Sequence, residues 1–122
     1  MHSTVRYMLA LVGLMEGLTA CAEETPLDIK SDLDGDYFIV EKRGTVNNPV
    51  LVVKRVSTDF AYYIKRKFDC EARTVRYLGE GDSLKAMAES EPEAEMSAIT
   101  EGSVSDQLAK LVCPKKGEPA EK

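Results

Sequence analysis

The sequence predicts an α+β domain: a small antiparallel β-sheet with a C-terminal helix disulfide-linked to it. Segments 36–44, 49–56 and 59–70 are rich in aromatic and β-branched residues, which favour strands. Segment 104–112 carries apolar residues at helical spacing. Cys70 and Cys113 end the last of these strands and the helix, and paired cysteines in an exported chain favour a disulfide.

Residues 1–20 have the features of a secretory signal. A flank containing Arg6 precedes the apolar run MLALVGLM, which is too short to span a bilayer. Small residues follow it, and the tetrapeptide LTAC, ending at Cys21, resembles the bacterial lipoprotein signal. In that signal the cysteine is lipidated before the chain is cut on its N-terminal side. We therefore predict a signal peptide over 1–20 and a lipid anchor at Cys21 in the bacterial cell envelope.

Two other interpretations of the N-terminus stay open. The tripeptide ACA at 20–22 also matches ordinary secretory cleavage, which would release a protein beginning at Glu23. Alternatively, the apolar run is a buried N-terminal helix. If Cys21 is lipidated, the Ala22 that follows it favours the outer membrane, by analogy with enteric lipoprotein sorting.

Length and charge limit the classes of function. Removing 1–20 leaves 102 residues, enough for one small domain. The net charge is −5 with or without the signal, which argues against a nucleic acid as a specific partner. No other segment is apolar enough to span a membrane, so membrane attachment depends on Cys21. A homo-oligomer is compatible with the sequence.

Histidine is missing from the predicted mature chain, because the only one is His2. A Ser-His or Cys-His nucleophile pair therefore cannot form there, and we predict no enzyme and no cofactor. A zinc site is the alternative to a Cys70–Cys113 disulfide, but the chain has no Cys-x-x-Cys motif, and we predict no metal. A bridge across 43 residues would stabilise the fold by about 4 kcal/mol on the chain-entropy estimate.

Segment 21–35 holds five acids against Lys30 and is predicted to be an acidic tether. The sequence KSDLDGDYFIVE, residues 30–41, begins in this segment and has part of the ligand spacing of a calcium loop. However, Lys30 stands at the first ligand position, where the ion needs an anionic oxygen. An acidic turn before the first strand is the simpler interpretation.

The strands follow in order. Segments 36–44 and 49–56 are separated by GTVNN, which suits a turn, and 72–78 is predicted to be the hairpin partner of 59–70. Segment 59–70 alternates with period 2, the pattern of a half-buried antiparallel strand. Its predicted inward side chains, interrupted by Arg66, are Phe60, Tyr62, Ile64, Phe68 and Cys70. Its predicted outward side chains are Ala61, Tyr63, Lys65, Lys67 and Asp69.

The rest of the chain changes character. Segment 79–101 holds seven acids against one Lys and is predicted to be a solvated acidic loop, partly disordered. A helix capped by Ser103 or Ser105 follows, and Pro114 ends it. The apolar face predicted for that helix consists of Val104, Leu108, Leu111 and Val112. Residues 114–122 are predicted to be a polar tail.

Two blocks of the chain carry a family resemblance. The first consists of Phe68, Asp69, Cys70, Arg73 and Arg76. The second consists of Gly102, Ser103, Leu108, Val112 and Cys113. Together these blocks resemble the bacterial surface-adhesin E family of small lipoproteins. The resemblance implies one domain over 36–113, with an antiparallel sheet, a packed C-terminal helix and the Cys70–Cys113 bridge.

Charge separates along the chain, with a balance of +4 over 36–78 and −6 over 79–101. We predict that Tyr63, Lys65, Lys67 and Arg73 form a basic face that contacts an unknown acidic protein or polyanion. The predicted function is a cell-envelope lipoprotein with a non-catalytic, adhesin-like binding domain. Alternatives are a periplasmic inhibitor or immunity-type lipoprotein and a structural accessory of an envelope complex. The outward lysines could also serve only to prevent edge aggregation.

Overall fold

The computed structural model describes residues 24–115, so Cys21, the signal and most of the polar tail lie outside the described residues. Six strands form one antiparallel sheet in chain order, and two helices pack on it. The elements are β1 (Thr25–Leu27), β2 (Asp36–Gly44), β3 (Pro49–Val56), β4 (Ala61–Asp69), β5 (Thr74–Gly81), α1 (Leu84–Glu89), β6 (Ser97–Ala98) and α2 (Val104–Val112). The predicted fold class is confirmed. Within the described range, no helix has the length and apolar character needed to cross a bilayer.

One face of the sheet carries the core and is covered by α2. Cross-strand partners share a face, so the register Ile39–Val53–Ile64 defines this side. Phe68 and Leu51 are fully buried there, each worth about 1.5–3 kcal/mol in apolar burial. The helix contributes Leu108 and Ala109 to the same cluster.

The opposite face, which we call the outer face, is half covered. Gly79 and Gly81 are the cross-strand partners of Lys65 and Tyr63, and their missing side chains make room for α1. A Cβ on Gly79 would lie 2.4 Å from the Met87 carbonyl oxygen, so the helix rests on bare backbone. Met87 is the buried residue of this short helix.

Segment 79–101 is therefore not the solvated loop that its composition predicts. It begins with the end of β5, continues into α1 and ends with β6 on the sheet edge. Ser83 caps α1 by accepting a hydrogen bond from the Ala86 amide at 3.0 Å, and Lys85 pairs with Glu89 one turn on. Close packing on glycine replaces the apolar bulk that the segment lacks.

The predicted tether is also folded over its described part, residues 24–35. Strand β1 pairs with β2, and Ile29 is buried in the core cluster. The Lys30 amide donates to the Gln107 side-chain oxygen at 2.6 Å, which joins this segment to α2. The four acids of 24–35 do not keep this part in solvent, because its few apolar residues have a sheet edge and a helix to pack against.

Two side chains assigned to the core by spacing are exposed. Phe60 precedes β4, in the turn closed by the hydrogen bond from the Ser57 amide to its carbonyl, and is 60% exposed. Leu111 is 57% exposed, because α2 turns Ala109 rather than Leu111 toward the sheet. The predicted cap at Ser103 is confirmed: its hydroxyl accepts from the Asp106 amide at 3.1 Å.

The Cys70–Cys113 disulfide is present and joins the end of β4 to the end of α2. The two Cα atoms lie 5.7 Å apart, in the ordinary range for a disulfide. The packing of α2 against the sheet is otherwise noncovalent. The disulfide therefore fixes the C-terminal end of the helix.

Candidate binding surface

A row of cations crosses the outer face at one end of the sheet. Arg43, Val50, Lys67 and Arg76 are successive cross-strand partners over β2, β3, β4 and β5. Three strand spacings of about 4.8 Å give the row a width of roughly 14 Å. Lys65 lies in the next row, beside Val52. We call Arg43, Lys65, Lys67 and Arg76 the basic face.

The lysines of the basic face are available to a partner. Neither the Lys65 nor the Lys67 side chain forms a hydrogen bond or ion pair with another residue of 24–115. Arg43 pairs with Glu41 but remains largely exposed, and Arg76 donates its Nε to the Glu93 carbonyl at 2.7 Å. The basic face therefore presents two lysines whose charge is balanced by no ion pair with a described carboxylate.

Tyr63 extends this surface toward the middle of the sheet. It lies opposite Lys54, whose ammonium group stands 5.3 Å from the centre of the Phe38 ring. Lys54 also binds the Glu24 carboxylate at 2.7 Å, and this hydrogen bond raises the pKa of the lysine. The rings of Tyr63 and Phe38 thus adjoin the basic face, together with Lys54, whose charge is balanced by Glu24. Such a surface can contact both apolar and polar groups of a partner.

Arg73 does not belong to this surface, so that part of the predicted basic face is wrong. It lies in the β4–β5 turn with a positive φ of 59°. Its guanidinium donates to Asp106 on α2 at 2.8 Å, on the core side of the sheet. A charge partner 33 residues away in sequence, together with the left-handed turn, directs the side chain away from Lys65 and Lys67.

Asp106 is a buried structural carboxylate. Its side chain is 1% exposed and also accepts from the Gly102 amide at 2.9 Å and from Lys110 at 3.2 Å. The Gly102 amide and then the Arg73 guanidinium lower the pKa of Asp106 to about 2. This carboxylate closes the first turn of α2 and ties it to the β4–β5 turn.

A second carboxylate network lies at the other end of the sheet. Asp32 accepts hydrogen bonds from Arg55 and from the Tyr37 hydroxyl, the latter at 2.7 Å. The Arg55 guanidinium and then the Tyr37 hydroxyl hold the pKa of Asp32 far below its usual range. Burial, followed by the Asp32 hydrogen bond, raises the pKa of Tyr37. The network fixes the segment that precedes β2.

Arg66, the exception in the β4 alternation, is buried on the core side. Its Nε donates to the Ser105 hydroxyl at 3.1 Å, and its guanidinium carbon stands 5.0 Å from the centre of the Tyr77 ring. Neutral oxygens and an aromatic face satisfy the cation here. Arg66 therefore couples α2 to β4 and β5 rather than adding to the basic face.

The other candidate sites among the described residues are a metal cluster and the groove beside the disulfide. Within residues 24–115, no group of three or more His, Cys, Asp or Glu side chains is placed to hold a metal ion. A groove of about 740 Å³ lies beside the disulfide, and Arg73 and Lys110 on its wall already bind Asp106. The basic face is the surface whose cations have the fewest partners.

Sequence reasoning placed Tyr63, Lys65 and Lys67 on one outward face, and the register puts them there. It missed Arg43 and did not include Arg76. The missing signal is the pairing of β2 with β3 and of β4 with β5, since Lys67 stands directly opposite Arg76. The sequence of one strand does not determine which residues of the neighbouring strand pair with it.

Comparison with known proteins finds no matching family model, no matching curated protein and no matching solved structure. The resemblance to the surface-adhesin E family therefore stays a prediction.

Proposed function

We propose that this protein is a lipid-anchored lipoprotein of the bacterial cell envelope, with a non-catalytic domain that binds an anionic macromolecular surface. The anchor is the lipid on Cys21, in the outer membrane. The binding site is the basic face together with Tyr63. The single observation that supports this site is the cross-strand row of Arg43, Lys67 and Arg76 with Lys65 in the adjacent row, because the side chains of Lys65 and Lys67 have no partner among the described residues.

The charge distribution supports an anionic partner despite the net charge of −5. Asp34, Asp36, Asp59 and Asp82 are exposed at the opposite end of the sheet, near the β1–β2, β3–β4 and β5–α1 connections. The basic end also carries carboxylates, with Asp69 at the end of β4, Glu71 in the turn that follows and Glu93 beside Arg76, so the excess of cations belongs to the outer face of that end. A face with such an excess orients in the field of an anionic surface. Such an arrangement favours docking through one end over non-specific attraction.

The test of the site is a titration of the detergent-solubilised protein with poly-L-glutamate. The double variant K65Q/K67Q removes two cations that have no partners to disturb, whereas K30Q/K85Q removes two at the opposite end. If each lost surface pair is worth about 0.5 kcal/mol, K65Q/K67Q weakens binding about fivefold. Equal affinities for both double variants would reject the basic face as the site.

Exposure on intact cells separates an adhesin-like role from a periplasmic inhibitor or structural accessory. Protease treatment of intact cells should remove an adhesin-like protein and spare a periplasm-facing one. A protected protein that still binds poly-L-glutamate would keep the binding site and move its partner to the periplasm.

A further inference from the structure

We propose that the anionic partner of the basic face is the phosphate-bearing surface of the membrane that holds the chain, so that the domain lies directly on the bilayer. This inference rests on the proposed function, and in particular on attachment through Cys21. It follows from how little chain separates that residue from the sheet.

The connection between anchor and domain is short. Strand β1 begins at Thr25, and Glu24 is already bound to Lys54 on the outer face. Three residue steps lie between Cys21 and Glu24, and an extended chain covers at most about 3.5 Å per residue. The lipidated cysteine is therefore within about 10 Å of the sheet, close to one Debye length in physiological salt.

The position of this attachment point favours contact through the basic end. Thr25 pairs with Ile39, so Glu24 lies level with Val40 on the neighbouring strand. Arg43 is three residues farther along β2, a distance of about 10 Å. Phosphate groups attract the basic face and repel the end that carries Asp34, Asp59 and Asp82.

The strength of the contact can be bounded. Each Lys or Arg near an anionic leaflet contributes about 1 kcal/mol, which corresponds to about fivefold in the equilibrium constant for docking. The four cations of the basic face together suffice to orient a domain that a lipid already holds at the surface.

The test is lysine footprinting of the lipidated protein in vesicles. The protein is inserted into phosphatidylcholine vesicles with or without phosphatidylglycerol and labelled with an amine reagent that does not cross membranes. Lys65 and Lys67 report on the basic face, and Lys30 and Lys85, both more than 80% exposed, are internal references. We expect the two reporters to be protected at least fivefold relative to the references in anionic vesicles only, and high salt to abolish the protection.

The variant R43Q keeps both reporter lysines and should lower the equilibrium constant for docking, and with it the protection of Lys65 and Lys67, about fivefold. Protection that is equal in zwitterionic vesicles, or that R43Q does not change, would overturn the proposal. If the reporters are labelled freely in all vesicles but protected by poly-L-glutamate in detergent, the membrane is the wrong partner. An acidic protein would then be the partner, and the proposed function would stand. Failure of both experiments would remove the proposed function as well.

Discussion

Replacing Asp106 with Asn should destabilise the domain without changing the shape of the side chain. The carboxylate accepts hydrogen bonds from Gly102, Arg73 and Lys110 in a site that is 1% exposed to solvent. A pKa of about 2 in the fold, against 3.8 for a free Asp, corresponds to about 2 kcal/mol of stability at neutral pH. Asn also turns an N–H group toward donors, so we expect a loss of about 2–3 kcal/mol in D106N. Arg73 and Lys110 are at least half exposed and can be rehydrated, which keeps the loss below that for a fully buried pair.

The effect has a defined pH dependence. A carboxylate with a lowered folded pKa stabilises the fold above its unfolded pKa and loses that contribution as the pH falls toward the folded value. The free energy of unfolding should therefore differ most between wild type and D106N above about pH 5. The difference should shrink toward pH 2, where Asp106 takes up a proton and resembles Asn in its hydrogen-bonding groups.

The assay is urea unfolding of the oxidised protein at a series of pH values, with D28N as the matched control. Asp28 has a side-chain exposure of 82% and pairs only with the equally exposed Lys30. Its substitution should change stability by less than about 0.5 kcal/mol. The reasoning is refuted if D106N behaves like D28N at neutral pH, or if its deficit is as large at pH 2 as at pH 7.

Three further predictions concern the bridge, the glycine contact and the anchor. Reduction, C70A and C113A should each cost about 2–5 kcal/mol in urea unfolding, and the double variant little more, since all break the same bond; two titratable thiols in the native oxidised protein would contradict this. G79A should lower the free energy of unfolding by about 1–3 kcal/mol, because its Cβ would lie 2.4 Å from the Met87 carbonyl oxygen and displace α1. Unchanged stability would show that the helix can move away freely. C21S should abolish lipid labelling and shift the protein to a soluble fraction, and a membrane fraction equal to that of wild type would exclude the anchor.

The spacing of apolar and polar residues predicted the features of the fold that arise within a single strand or helix. The alternation in 59–70 indicated both a strand and the outward direction of Tyr63, Lys65 and Lys67, because side chains on any strand alternate between faces. The Ser103 cap and the end of α2 at Cys113 were readable for the same reason. The direction of the Arg73 side chain could not be predicted in this way, because it depends on a left-handed turn and on a carboxylate in α2, 33 residues away.

The folded state of the two acidic segments depends on partners that composition does not show. Segment 24–35 is ordered by the edge of β2 and by Gln107, and α1 is ordered by the bare backbone at Gly79 and Gly81. Acid-rich sequence with few apolar residues usually lacks the burial needed to offset its conformational entropy. Here each segment needs little burial of its own, because the sheet supplies the opposing surface.

Two β-bulges decide which residues form the outer face. The register shifts between Ile39 and Glu41, leaving Val40 as an extra residue, and again at Leu78 opposite the step from Lys65 to Arg66. Since one extra residue reverses the facing of everything that follows in its strand, Arg43 would point to the core side without the first bulge. Without the second, Gly79 would face the core and α1 would lose its contact surface. The basic face and the helix beside it therefore have a common cause: single insertions that re-aim the ends of β2 and β5.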